Sequence, residues 1–221
     1  MDWLLARTAV IQGLSDVSRI LEAVVGGCDL PTLQRMHHTY LDVRGSKLYG
    51  DAQKHVMAAT AGSPSADWRV NAEWLEGQGY LRSHCACAEA AQQVDGRDRL
   101  EWLQQQRGYP LTFDVVYTAA QHGNADALEF LLAQGVLLVL LSGELPGTAT
   151  YLAAQGGHLA ALKVLHAHGA RIDCRAVAAA AGGGHLSVVA WLVEVLGAGC
   201  VVLTADVFVG AASSGSAELL A

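Results

Sequence analysis

A short motif recurs along this chain and sets what it can fold into: two adjacent alanines, two variable residues and a glycine, followed by an apolar stretch that closes on another glycine. The clear copies span residues 119–136, 153–170 and 180–199, and a further one begins at 211. Weaker copies span residues 9–27, 58–80 and 90–109. One such unit is too small to bury its own apolar face, whereas stacked units bury theirs against each other. The repetition therefore predicts a helical array.

Each unit is interpreted as two helices joined by a glycine turn. In the second helix Leu128, Leu131 and Leu132 stand at i, i+3 and i+4, which places them on one face. The residues predicted to form the same face downstream are Leu162 and Leu165, then Val189, Leu192 and Val193. The turns fall at Gly123, Gly157, Gly184 and Gly215, where glycine allows a positive φ. The predicted helix caps are Asn124, Ser216, Thr112 and Thr204.

Composition excludes several classes of protein. Hydrophobic residues make up 52% of the chain and charged residues 16%, which argues against long disorder. The net charge of −7 argues against a nucleic-acid partner. The longest aliphatic run, residues 136–141, is far shorter than the roughly 20 apolar residues of a membrane span. Five irregularly spaced cysteines and an N-terminus without a signal-peptide pattern predict a reducing, cytoplasmic location.

No motif for catalysis, a cofactor or a metal is recognised. Cys85 and Cys87 lie about 200° apart on a helix, so they are predicted to be free thiols in the first helix of a repeat. The histidine clusters, His37-His38 and His166-Ala167-His168, are interpreted as surface residues. The tryptophans Trp74, Trp102 and Trp191 are predicted to serve in packing. The chain is accordingly expected not to be an enzyme.

The segments AAQHGN, AAQGGH and AAAGGGH resemble the Ala-Ala-x-x-Gly-His turn of the ankyrin repeat family, with His158 and His185 at the histidine position. The chain departs from the family pattern because Thr-Pro-Leu-His is absent from every copy. The resemblance implies an all-α, ankyrin-type α-solenoid over residues 49–221, preceded by a divergent helical cap region over residues 1–48. The last repeat breaks off at Ala221, so the array is expected to continue in a longer protein.

Proteins of this family bind partner proteins on a concave face. The resemblance places the contact positions ahead of the first helix and just after the alanine pair. The partner-binding residues that the resemblance implies are Phe113, Gln121, His122 and Gln155. Two alternatives stay open: a substrate-recruiting adaptor within a larger enzyme complex, such as a ubiquitin ligase, and a purely structural spacer. We expect a protein partner if the chain is a scaffold or an adaptor, and we expect no nucleic-acid or membrane partner.

Overall fold

The computed structural model describes residues 13–136 and 147–197, together with Val209, Ala212, Ser213 and Gly215. These residues form twelve α-helices and no β-strand, which confirms the all-α class. The helices are α1 (Leu14–Gly27), α2 (Leu30–His37), α3 (Asp51–Ala61), α4 (Trp68–Gly77), α5 (His84–Ala91), α6 (Gly96–Glu101), α7 (Phe113–Gln121), α8 (Ala125–Ala133), α9 (Thr148–Gln155), α10 (Leu159–Ala167), α11 (Cys174–Gly182) and α12 (Leu186–Leu196).

Some sequence predictions fall outside the described residues. The longest aliphatic run, residues 136–141, is described only at Val136. The proposed caps Thr204 and Ser216 and most of the copy that begins at Ala211 are likewise outside. Gly215 of that copy is described, and it has the expected positive φ of 69°.

The chain divides into two compact units. Unit 1 comprises residues 1–93 and 102–110, and unit 2 comprises residues 94–101 and 111–221. In unit 1, α3 packs between α1 and α5. The helix α2 packs on α1 and on α4, and α4 packs on α3.

Unit 2 contains the clearest copies of the repeat. Its first helices form a row in which α9 lies between α7 and α11, and its second helices α6, α8 and α10 pack in sequence. In the three copies whose first helices are described, both alanines are buried in the row of first helices: Ala119, Ala120, Ala153, Ala154, Ala180 and Ala181. The small alanine side chain permits this close approach of neighbouring helices, which explains why the pair recurs.

The apolar faces of the second helices agree with the sequence prediction in two repeats out of three. Leu128, Leu131, Leu162 and Leu165 are fully buried. In α12 the prediction is wrong by one residue, because Val188 is buried with Leu192 while Val189 is only half-buried. Val188 and Leu192 are spaced i, i+4, so the helical period was right and its starting point was not.

The turns behave as the sequence predicts. Gly123 and Gly157 have φ of 70° and 75°, a region that costs other residues steric strain. Asn124 caps α8, since its side-chain oxygen accepts a hydrogen bond of 3.1 Å from the backbone N–H of Ala127. Thr112 stands at the N-cap of α7, but its side chain makes no capping bond, so that part of the prediction is wrong.

Two helices continue into short π-helical turns, at His38–Asp42 and at Trp102–Gln106. A π turn bonds residue i to i+5, and residues five apart then lie on the same side of the helix. In an α-helix they would be about 140° apart. The π turns thus bring together two pairs in unit 1, His37 with Asp42 and Trp102 with Arg107.

Candidate functional site

The exposed sides of α7, α9 and α11 form a continuous surface on unit 2, here called the first-helix face. It is defined by the side chains that leave each first helix at equivalent positions four residues apart: Phe113, Tyr117, Gln121, Tyr151, Gln155, Cys174 and Ala178. The alanine pairs are not part of this surface, because they are buried in the row of helices. The first-helix face therefore contains three of the four positions that the sequence assigned to partner binding, Phe113, Gln121 and Gln155.

Phe113 begins this surface. It is the first residue of α7, directly after the N-cap, and it is 44% exposed. Its ring lies 5.8 Å from the ring of Tyr117, one helical turn further along. The two aromatic rings together present an exposed apolar surface at the start of α7.

Gln121 and Gln155 hold the same place in successive repeats. Both side chains are exposed. Their main-chain oxygens accept hydrogen bonds from the Nε2–H groups of His158 and His185, over 2.9 Å and 3.0 Å. Each bond ties the end of one first helix to the turn of the following repeat, so Gln121 and Gln155 hold equivalent places in the backbone along the face.

His122 has a different environment. Its Nδ1–H donates a hydrogen bond of 2.9 Å to the main-chain oxygen of Thr118, so the ring folds back along its own helix. The equivalent residues in the next two repeats are Gly156 and Gly183. His122 is exposed as predicted, but it is not among the residues that line the cleft described next.

A cleft of about 550 Å³ opens between α9 and α11. One wall is formed by Tyr151 and Gln155, and the other by small residues of α11 and the turn after it, chiefly Ala178, Gly182 and Gly183. The cleft arises because α11 has alanine and glycine at the positions where α9 has tyrosine and glutamine. Of the residues predicted to bind a partner, only Gln155 lines this cleft.

The rim of the cleft carries a paired charge. The guanidinium of Arg175 donates to the carboxylate of Asp173 from Nε, at 3.1 Å, and from Nη2, at 2.9 Å. This hydrogen bonding and the charge of Asp173 raise the pKa of Arg175 further above its usual range. Because the two charges offset each other, the cleft offers an aromatic and uncharged surface.

Sequence reasoning missed Tyr117 and Tyr151. They precede Gln121 and Gln155 by four residues, which is one helical turn. Aligning the repeats and following each first helix back by one turn would have found both tyrosines. Arg175 was missed because its pairing with Asp173 depends on the extended backbone at Asp173, the N-cap of α11.

The structure also places the cysteines, tryptophans and histidines that were interpreted from the sequence and lie outside this face. Cys85 and Cys87 are free and lie in α5 as predicted, half-buried and buried respectively. Trp102 is buried and packs edge-to-face on Trp68, with ring centroids 5.1 Å apart. The surface interpretation holds for His38, His166 and His168 but is wrong for His37, which is buried against Trp74.

Within the described residues, no group of three or more histidine, cysteine, aspartate or glutamate side chains could hold a metal ion. Over the same residues, no helix has the length and hydrophobicity needed to cross a membrane. Comparison of the chain with protein-family models, curated proteins and solved structures finds no match.

Proposed function

We propose that this chain is a non-catalytic scaffold for protein–protein interaction, built as an ankyrin-type α-solenoid, and that the first-helix face of unit 2 binds the partner. The ankyrin part of the proposal is supported by the Ala-Ala-x-x-Gly-His turns and by the separate rows of first and second helices. It is also supported by the repeated bond from a turn histidine to the preceding first helix. A repeat array of this kind offers an extended binding surface.

The observation that carries the proposal is the exposed aromatic row beside an open cleft. Phe113 and Tyr151 are exposed, and Tyr117 is half-buried on the same face. Aromatic side chains contribute much contact area and little conformational entropy, and they are enriched where proteins meet. Rigid helices hold them in place, which lowers the ordering cost of binding.

The chemistry of the cleft indicates what the partner presents. Tyr151 offers a ring on one side, Ala178 and Gly182 leave room on the other, and the charge of Arg175 is offset by Asp173. The cleft is thus suited to an uncharged apolar or aromatic side chain from a partner protein. The net charge of −7 disfavours a polyanionic partner such as nucleic acid.

The test uses peptides selected from a displayed library on the purified full chain. Tyr151→Ser and Phe113→Ser should each weaken binding of the selected peptides by roughly tenfold or more, as loss of an aromatic anchor does. The matched control is Leu186→Ser on α12, because Leu186 is 44% exposed, the same fraction as Phe113. Circular dichroism of each variant checks that the helices are retained.

Two results would overturn the proposal. One is a set of peptides whose affinity falls equally for Leu186→Ser and Tyr151→Ser, since the first-helix face would then have no special part. The other is failure to select any peptide against the folded chain, which would favour a structural spacer.

A further inference from the structure

Unit 1 contains a cavity of about 260 Å³, and we infer from its lining that it is a small-molecule site. It is enclosed by the end of α2, the loop that leads to α3, the start of α3 and the residues after α4. Its polar lining residues include His37, Asp42, Lys47, Gln53, Gln78 and Tyr80. All of them belong to unit 1, so this inference is independent of the proposed function of the first-helix face.

Two polar groups of this cavity are buried without a hydrogen-bond partner among the described residues: Nδ1 of His37 and the hydroxyl of Tyr80. Each of the two residues is only 6% exposed. Burying a polar group without a partner costs free energy, and most buried polar groups in proteins are satisfied. Two such groups lining one cavity indicate that something other than the chain satisfies them.

Asp42 supplies the charge of the site. The π turn places its Oδ1 3.3 Å from Nδ1 of His37, although the geometry there makes no hydrogen bond. Its Oδ2 is 3.3 Å from Nδ1 of the exposed His38. Burial, with a smaller contribution from Asp42, raises the pKa of Tyr80, which keeps the phenol protonated. Burial also lowers the pKa of His37, although Asp42 opposes this, and so favours the neutral imidazole.

These groups present hydrogen-bond acceptors around one negative charge. A neutral imidazole has one unprotonated nitrogen, a phenol oxygen accepts, and the carboxylate of Asp42 accepts on both oxygens. A primary ammonium group has three N–H donors and one positive charge, and it can satisfy all three residues at once. We propose that this cavity binds a small primary alkylamine, with its ammonium group among His37, Asp42 and Tyr80.

The remaining lining limits the ligand further. Leu41 and Leu48 are buried at the cavity and provide apolar surface for an alkyl chain. Lys47, on the exposed loop, repels a second positive charge, so a monoamine fits better than a diamine. An anionic ligand is disfavoured by Asp42. A metal ion is disfavoured because the described residues offer no set of three ligands here.

The experiment is isothermal titration calorimetry of the full chain with n-butylammonium chloride. Sodium butyrate and butan-1-ol are the matched ligands without the ammonium group, and zinc chloride tests the metal. Butylammonium should bind and the other three should not. Tyr80→Phe and Asp42→Asn should each weaken its binding by roughly tenfold or more, the effect of losing one charge-assisted hydrogen bond.

The control variant is Tyr49→Phe, which removes a phenol hydroxyl from a residue that is exposed and outside the cavity. It should bind butylammonium like the unmodified chain. Tyr80→Phe should also keep its thermal midpoint, since the Tyr80 hydroxyl has no partner in the described part of the chain to lose. Absence of binding by butylammonium, equal binding of butanol, binding of zinc in its place, or full affinity in Tyr80→Phe would overturn the proposal.

Discussion

The Nε2–H of His158 donates a hydrogen bond of 2.9 Å to the main-chain oxygen of Gln121, in the preceding repeat. The ring reaches that oxygen by lying over Gly123, where an added Cβ would overlap the imidazole. His185 repeats the arrangement over Gly157, with its bond to the oxygen of Gln155. Glycine in one turn and histidine in the next are thus parts of the same contact.

Gly123→Ala should lower the free energy of unfolding for two reasons. A Cβ at φ 70° costs about 1–2 kcal/mol, and overlap with His158 should add about 1–3 kcal/mol, as overpacking does. Gly169→Ala is the matched control, because Gly169 has φ 82° and nothing within 4 Å of an added Cβ. Urea denaturation of both variants measures the difference.

The double variant Gly123→Ala/His158→Ala separates the two causes. Removing the imidazole ring should recover the part of the free energy of unfolding that was lost to the overlap. The effects of the two substitutions should therefore be less than additive. Equal losses in Gly123→Ala and Gly169→Ala would mean that the histidine ring is not held over Gly123.

Leu162→Ala should reduce the free energy of unfolding by about 2–5 kcal/mol, because Leu162 is fully buried between helices and its removal leaves a cavity. The exposed Leu186 provides the control, and Leu186→Ala should change the stability by less than about 0.5 kcal/mol. Thermal or urea unfolding checks both values. A small effect at Leu162 would show that the second helices do not pack as described.

Glu76→Gln should destabilise unit 1. The Glu76 side chain is 5% exposed and accepts hydrogen bonds from Arg82, Arg107 and Tyr109, over 2.9 Å from Arg82 and 2.8 Å from Tyr109. The free energy of unfolding should fall by about 1.5–3 kcal/mol, which is typical of losing hydrogen bonds to a charged group. Glu73→Gln is the control on the same helix. Glu73 is half exposed and 3.7 Å from Arg107, so its change should cost under about 1 kcal/mol.

The same carboxylate predicts a pH dependence. Burial would raise the pKa of Glu76, but the bonds from Arg107, Arg82 and Tyr109 outweigh it, and the folded-state pKa lies below its usual range. A lowered folded-state pKa contributes stability that is present above the unfolded pKa, near 4.3, and is lost as pH falls through the folded pKa. The free energy of unfolding, measured from neutral to acid pH, should fall less steeply below about pH 4 in Glu76→Gln than in the unmodified chain.

The cysteines should differ sharply in reactivity. Burial raises the pKa of the Cys87 thiol to about 12, so almost no thiolate is present and reagents have little access. Cys174 is exposed and lines the cleft of the first-helix face. Brief alkylation of the folded chain, read by peptide mass spectrometry, should label Cys174 and spare Cys87. Labelling of both at similar rates without denaturant would contradict the packing of α5.

The features predicted best from the sequence are those that depend on residues close together in the chain. The turns at Gly123 and Gly157 and the cap at Asn124 depend on residues next to each other in the chain, and they were predicted correctly. The leucine faces of α8 and α10 follow a simple helical period, and they were also correct. On α12, valine and leucine at almost every position hide the starting point of that period.

The features that were missed depend on contacts across the fold. His37 was interpreted as a surface residue because no recognised motif includes it, whereas the fold buries it against Trp74 on another helix. Its proximity to Asp42 was also not predicted, since it depends on the π turn. The cleft was missed for a similar reason. It exists because Tyr151 on one helix faces Ala178 and Gly182 on the next, a relationship that no single repeat contains.

Each π turn holds one residue more than the helical turn it replaces. Removing one residue from His38–Asp42 would leave Asp42 four places after His37, which in an ordinary α-helix is again nearly the same side. The same change inside α1 would rotate all that follows by about 100° and turn Val17 or Leu21 away from the core. Deletion of a single residue should therefore be tolerated at these two turns, and related chains are expected to differ in length there before they differ within α1.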